Sequence, residues 1–104
     1  IADYGANAFE TNTATPSANE PDDNQCSGTY LDWSNSPDVW LLFVPSATAS
    51  VHFTTCDSNS YDTSMALYEG TCDNQVSCNG DASGDSGCQS YYSAFDYDVI
   101  AGET

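Results

Sequence analysis

The chain has no lysine and no arginine among its 104 residues, although sixteen of them are Asp or Glu. It therefore lacks the ammonium and guanidinium side chains that usually bind phosphates. This excludes electrostatic binding of nucleic acid and of anionic lipid surfaces. No carboxylate finds a Lys or Arg partner, and the formal net charge of −16 attracts cations. We therefore expect metal ions, above all Ca²⁺, as the counter-charge.

Other features that are scarce limit the class of protein further. No apolar run approaches the roughly 20 residues of a membrane-spanning helix, so we expect no membrane insertion. No stretch shows a 3.6-residue apolar period, which argues against amphipathic helices. Charged residues make up only 15% of the chain and aromatic residues 12%, a composition that excludes a disordered acidic tail. The length indicates one domain with a modest core.

The apolar pattern predicts short strands. Residues 40–44 form a continuous apolar run ended by Pro45, which is typical of a strand buried on both faces. Residues 49–55 and 91–99 alternate between apolar and polar side chains, as half-buried strands do. In the second of these, Tyr91 is predicted to face the core.

Turn residues separate the remaining elements. Residues 65–69 and 75–78 are predicted to pair as a hairpin, and residues 79–87 form a turn-rich loop. Strands at this spacing predict an all-β domain, an antiparallel β-sandwich over residues 21–104. An extended N-terminal arm is expected at residues 1–20.

Five cysteines in so short a chain indicate an oxidising compartment and a set of stapling disulfides. Cys72 and Cys78 flank a five-residue loop, and Cys56 and Cys88 border two strands. The first expectation is therefore the pairs Cys72–Cys78 and Cys56–Cys88. The pairs Cys56–Cys78 and Cys72–Cys88 stay open as the alternative. Cys26 is left unpaired or bound to another chain.

Several short motifs follow one another in order along the chain. They are FETNTAT at residues 9–15, PDD at 21–23, DVW at 38–40, TTC at 54–56, YDT at 61–63, GTC at 70–72, CNGD at 78–81, GC at 87–88 and AGET at 101–104. In this order, the chain resembles the pre-peptidase C-terminal-like and CUB-like β-sandwich modules of large secreted bacterial proteins. The resemblance implies a jelly-roll-like sandwich, secretion, and a binding or scaffolding role. It also implies a further C-terminal strand, here absent or supplied by a neighbour.

A sandwich with an open edge invites strand addition by another copy. If residues 1–20 of each subunit pair with the next, the contact does not close and a filament results. We therefore expect a non-catalytic secreted module that assembles with copies of itself into an extracellular fibre or surface layer, by strand exchange and calcium bridging. The alternative is a carbohydrate- or protein-binding module appended to a secreted enzyme.

The candidate metal ligands are oxygen-bearing side chains in turns. They are Asp81, Ser83, Asp85, Asp62, Asp22 and Asp23. The first three alternate in a loop that Gly84 can bend, and the others are expected to converge on the same end of the sandwich. Ca²⁺ prefers such oxygen ligands. Turn residues with solvated carboxylates are the competing explanation.

Trp33 and Tyr92 are the candidates for stacking on a glycan, whereas Trp40 and Tyr91 are assigned to the core.

We expect no enzymatic activity. No carboxylate pair stands out for acid–base work. The residues 84–87, although similar to a serine-protease nucleophile segment, lie too close to His52 in sequence to build such a site.

Overall fold

The computed structural model describes residues 2–27 and 31–104, and regular structure there is almost entirely β-strand. The strands are β1 (Cys26–Ser27), β2 (Ala49–Thr54), β3 (Met65–Tyr68), β4 (Gln75–Asn79) and β5 (Ala94–Val99). Two short 3₁₀ turns, Asp23–Gln25 and Trp33–Asn35, are the helical elements of the described part. The predicted all-β class is confirmed. The described residues contain no helix that is long and apolar enough to cross a membrane.

The first sheet has three strands in the order β1–β4–β3. Strands β3 and β4 form the antiparallel hairpin predicted from sequence, with Met65 opposite Asn79. Gly70 follows β3 with a φ of 75°, a backbone conformation that glycine adopts without steric cost. Strand β1 runs parallel to β4 on its other side.

The second sheet pairs β2 with β5 in antiparallel register. Its side chains alternate as predicted: Val51 and Phe53 are half-buried, whereas His52 is exposed. Phe53 lies opposite Phe95, and their ring centroids are 5.7 Å apart. Cross-strand aromatic pairs of this kind stabilise a sheet.

Polar contacts join the two sheets. The Asn79 side-chain oxygen at the end of β4 accepts a 3.0 Å hydrogen bond from the N–H of Ala94 at the start of β5. Beside it, the Ser93 hydroxyl donates to the Thr63 carbonyl at 2.8 Å. The buried apolar residues of the described part are few: Pro45, Cys78, Tyr92 and Val99. Face-to-face packing of the sheets as a jelly-roll sandwich stays a prediction.

The disulfides differ in part from the pairing expected first. Cys56 is joined to Cys88, as expected, but Cys78 is joined to Cys26 and not to Cys72. The hairpin register explains the difference, because it places Ala66 opposite Cys78 on one side. On the other side, parallel β1 places Cys26 opposite Cys78, with their Cα atoms 4.4 Å apart. Cys72 is a free, exposed thiol in the turn between β3 and β4.

The prediction that residues 40–44 form a strand buried on both faces is wrong. The run has no regular pairing within the described residues except one isolated parallel bridge between Phe43 and Ala2. Trp40, Leu41 and Leu42 are 51%, 50% and 49% exposed. A continuous apolar run becomes a buried strand only where other strands flank it, and the N-terminal arm contributes a single residue there.

Candidate interaction surface

The most apolar stretch of the chain, residues 39–44 (the apolar segment), lies on the surface. Its sequence is VWLLFV, and all of its side chains except that of Phe43 are exposed. Monomeric soluble proteins rarely expose contiguous apolar surface of any size, and such surface usually marks an interaction site. The apolar segment is therefore the strongest candidate for a functional surface in this chain.

Two side chains anchor the apolar segment to the rest of the molecule. Phe43 is half-buried, and its ring packs edge-on against Phe53 of β2, with centroids 5.8 Å apart. The Trp40 ring packs on Tyr68 of β3 at 5.1 Å. The Trp40 indole N–H also donates a 2.8 Å hydrogen bond to the hydroxyl of Ser17. These contacts hold one side of the apolar segment in place and leave the other side open.

Backbone groups of the apolar segment are largely unpaired. The Leu42 carbonyl accepts a 2.6 Å hydrogen bond from the N–H of Ala2. Apart from this bridge, residues 39–44 form no backbone hydrogen bond within the described part of the chain. Unpaired peptide groups on a stretch of high β-propensity form a template for pairing with another strand.

The N-terminal arm contacts its own chain at several points, and one of them is the Tyr4 ring, which packs edge-on against Phe43 with centroids 5.3 Å apart. Ala2 bridges to Phe43, and the Thr11 hydroxyl lies 2.9 Å from that of Tyr61. The backbone N–H and the hydroxyl of Ser17 both donate to the Asp38 carboxylate, at 2.7 Å each. The arm therefore supplies the contact that fixes the start of the apolar segment.

A shallow acidic groove borders the apolar segment beyond Tyr68. Its lining includes Glu20, Asp22, Tyr68, Cys72 and Asp73. Burial raises the pKa of the Tyr68 phenol, and the nearby Cys72 and Asp38 raise it further. The groove therefore repels anions and keeps the phenol protonated as a hydrogen-bond donor.

The predicted metal ligands make separate contacts. Asp22 caps the first 3₁₀ turn by accepting from the N–H of Asn24, and Asp23 accepts a 2.6 Å bond from the indole of Trp33. Asp85 accepts from the Tyr92 hydroxyl at 3.1 Å. The remaining candidates are the exposed Asp62 and Ser83 and the half-buried Asp81. Residues 2–27 and 31–104 contain no group of three or more His, Cys, Asp or Glu side chains placed to hold one metal ion.

The single histidine lies between two carboxylates. His52 of β2 has its Nδ1 atom 2.7 Å from an oxygen of Asp96, the residue directly opposite on β5. Its Nε2 atom is 3.9 Å from an oxygen of Asp85 in the loop after β4. The two carboxylates face opposite nitrogens of the ring.

The two predicted glycan-stacking residues have different outcomes. Tyr92 is 4% exposed and its hydroxyl is bonded to Asp85, so its assignment to an exposed platform is wrong. Trp33 is half-buried with its indole N–H bonded to Asp23. Of the two adjacent tyrosines, Tyr91 is the exposed one, at 60%, so its assignment to the core is wrong. Its φ of 65° reverses the alternation just before β5 begins.

Sequence reasoning missed the exposure of the apolar segment, the free thiol of Cys72 and the outward ring of Tyr91. The local sequence pattern does not predict the exposure of the apolar segment, because a buried strand and an exposed apolar run have the same pattern of residues.

The disulfides indicate an oxidising setting, such as the outside of a cell or a periplasm. The resemblance to pre-peptidase C-terminal-like and CUB-like modules stays a prediction. Comparison with protein-family models, with curated proteins and with solved structures found no match for this chain.

Proposed function

We propose that this chain is a non-catalytic, secreted structural module that associates with copies of itself into an extracellular fibre or surface layer. The observation that supports this most is the amount of apolar surface left open. Large apolar side chains are exposed in the apolar segment and also at Tyr4, Phe9, Tyr61, Tyr91 and Ile100. Burial of such surface is the main driving force of protein association.

The total surface area supports the same proposal. The chain exposes 6767 Å², whereas a compact monomer of its 11.1 kDa mass exposes roughly 5,700 Å². The excess, about 1,100 Å², is more than the roughly 800 Å² that each partner buries in a standard protein interface. Association with other copies would therefore bring the molecule to the surface area that is usual for its mass.

Within this proposal, the two sheets are the layers of a jelly-roll-like sandwich, and exchange of the N-terminal arm extends the assembly. Ala2 pairs with Phe43 of its own chain, and the same pair formed with a neighbour's Phe43 is a domain swap. Cations are needed because copies with a charge of −16 repel one another. Ca²⁺ held between carboxylates of different copies, with Asp81 and Asp85 as first candidates, supplies the bridge.

The experiment is to measure the mass of the chain in solution and to image it by negative stain, with Ca²⁺ and after EDTA. We expect filaments or large oligomers with Ca²⁺ and smaller species after chelation. A chain that stays monomeric at every concentration, with or without Ca²⁺, contradicts the proposal. Assemblies that persist unchanged in EDTA contradict only the calcium bridge.

The exposed rings of Tyr61 and Tyr91 favour a second candidate, a glycan-binding module. Aromatic faces that lie open to solvent can stack on sugar rings, and Tyr91 holds a left-handed backbone conformation that is costly for a bulky residue. Binding to immobilised polysaccharides that Tyr91→Ala abolishes and Tyr4→Ala leaves intact would support it. Equal binding by both variants would contradict it.

A further inference from the structure

We infer that Thr13 and Thr15 of the N-terminal arm are sites of O-linked glycosylation by neutral sugars. This modification goes beyond the proposed self-association and does not depend on it. Residues 11–17 have the sequence TNTATPS, in which four of seven side chains carry a hydroxyl group and one is proline. Segments that are rich in Ser and Thr and contain proline are typical of O-glycosylated stretches in secreted proteins.

The structure divides these four hydroxyl groups into two that are engaged and two that are open. The Thr11 hydroxyl lies 2.9 Å from another hydroxyl group, and that of Ser17 donates to the Asp38 carboxylate at 2.7 Å. Thr13 and Thr15 are exposed, and their hydroxyl groups form no hydrogen bond within the part of the chain that the structure describes. Both ends of the segment are therefore anchored, while the two threonines between the anchors face solvent.

The backbone between the anchors is accessible as well. Among the described residues, the segment 12–16 makes one backbone hydrogen bond, from the N–H of Ala14 to the carbonyl of Thr11, and it belongs to no strand. Pro16 favours an extended backbone at Thr15, the residue before it. An enzyme that binds its acceptor as an extended peptide can therefore reach both hydroxyl groups without opening either sheet.

The transfer requires an activated sugar, whose anomeric carbon is bonded to a phosphate of a nucleotide or lipid carrier. The threonine Oγ1 attacks that carbon, and the bond from the carbon to the phosphate oxygen breaks. The phosphate leaves with the electron pair, and the hydroxyl proton passes to a base of the transferase. The acceptor has to supply only an accessible hydroxyl group, which Thr13 and Thr15 do.

The chemical setting favours a sugar over a phosphate at these hydroxyl groups. The two disulfides indicate an oxidising compartment, the setting in which mucin-like stretches occur. A phosphate would add about −1.5 to −2 charges to a chain that already carries −16 and has no Lys or Arg to pair with it. Neutral sugars add no charge, and they are bulky and solubilising.

Intact-mass spectrometry of the chain produced in its natural source tests the inference. The samples are the wild type, the double variant Thr13→Ala/Thr15→Ala, and the control Thr71→Ala, which changes an exposed threonine between β3 and β4. The wild type and the control should be heavier than the 11.1 kDa chain by a whole number of sugar residues. The double variant should lose all of this added mass. Because the replaced side chains are exposed, the fold should tolerate the changes.

Electron-transfer fragmentation, which leaves sugars attached to the peptide, should place them on Thr13 and Thr15 and on neither Thr11 nor Ser17. A wild-type chain without added mass overturns the inference, as does a double variant that keeps its added mass. Sugars at other residues, or added mass that corresponds to phosphate, also overturn it. The proposed self-association is measured separately by the mass of the chain in solution, so either idea can fail without the other.

Discussion

Ser93 is a fully buried polar residue that joins several segments of the chain. It has no solvent-exposed surface, and its hydroxyl lies between the carbonyls of Thr63 and Gly80. Its own N–H donates to the hydroxyl of Thr55 at 2.8 Å. One small side chain thus satisfies backbone groups from segments that are far apart in sequence, where an unsatisfied buried group would be costly.

Ser93→Ala should lower the free energy of unfolding by about 1–2 kcal/mol, because it leaves the Thr63 carbonyl without its buried donor. Urea denaturation checks the prediction, with Ser90→Ala as the control at an exposed serine nearby. Equal stability of the two variants would show that the hydroxyl of Ser93 is dispensable.

Two tyrosines should make the folded state less stable at alkaline pH. Tyr97 donates a 2.6 Å hydrogen bond to Glu69, and this bond raises the pKa of its phenol. Burial raises the pKa of Tyr68 in the same direction. A group whose pKa is raised by folding stabilises the native state below its unfolded pKa, about 10 for tyrosine. That stability is lost as the pH rises through the higher folded value.

We therefore expect the free energy of unfolding to fall with increasing pH above about 10. Tyr97→Phe should show a weaker fall, because phenylalanine has no proton to lose. Denaturation curves across this pH range provide the measurement, with Tyr91→Phe as a control that behaves like wild type. A Tyr97→Phe chain with the wild-type pH dependence would refute this account.

At the scale of elements, the shortest strand has the largest covalent role. Strand β1 is two residues long, yet Cys26 ties it to β4 across 52 residues of chain. A disulfide that closes a loop of this length restricts the unfolded chain strongly. The pair therefore contributes stability that the few backbone hydrogen bonds of β1 cannot.

Replacing both Cys26 and Cys78 with serine should cost about 3–4 kcal/mol of unfolding free energy. Cys72→Ser should change it by less than about 0.5 kcal/mol, because that thiol is free and exposed. Denaturation of the two chains gives the comparison, and thiol labelling of the unreduced wild type should modify Cys72 alone. Labelling at Cys26 would contradict the pairing.

The elements also show which parts of the fold the sequence pattern predicts. Strand β2, the β3–β4 hairpin and the alternation of β5 were predictable, because each depends on residues close together in sequence. The pairing of Cys26 with Cys78 was not, since a parallel strand from a distant segment leaves no local pattern. The predicted positions of Tyr91 and Tyr92 are reversed in the structure, because the left-handed backbone conformation of Tyr91 interrupts the alternation of side chains. The apolar segment was misjudged because burial depends on neighbours that a local pattern does not describe.

At the scale of the whole molecule, charge and apolar surface act against each other. A charge of −16 drives copies apart, whereas the proposed self-association would bury exposed apolar surface. Screening decides which dominates, because the Debye length falls from about 30 Å at 0.01 M salt to about 8 Å at 0.15 M. The strength of self-association should therefore depend steeply on the ionic environment.

The self-association constant should rise at least about tenfold between these two salt concentrations. At equal ionic strength, CaCl₂ should promote assembly more than NaCl, since Ca²⁺ can bridge carboxylates of two copies. Light scattering during matched titrations measures both effects. Identical curves for the two salts would reduce the role of calcium to screening, and association that weakens with salt would contradict the charge argument.

The two disulfides overlap along the chain, one joining residues 26 and 78 and the other residues 56 and 88. A single backbone cut anywhere between residues 26 and 88 therefore leaves both halves covalently connected. Proteases of trypsin-like specificity have no Lys or Arg at which to cut. A chain nicked by another protease between these residues would therefore stay in one piece, and the cut would release no fragment until the disulfides were reduced.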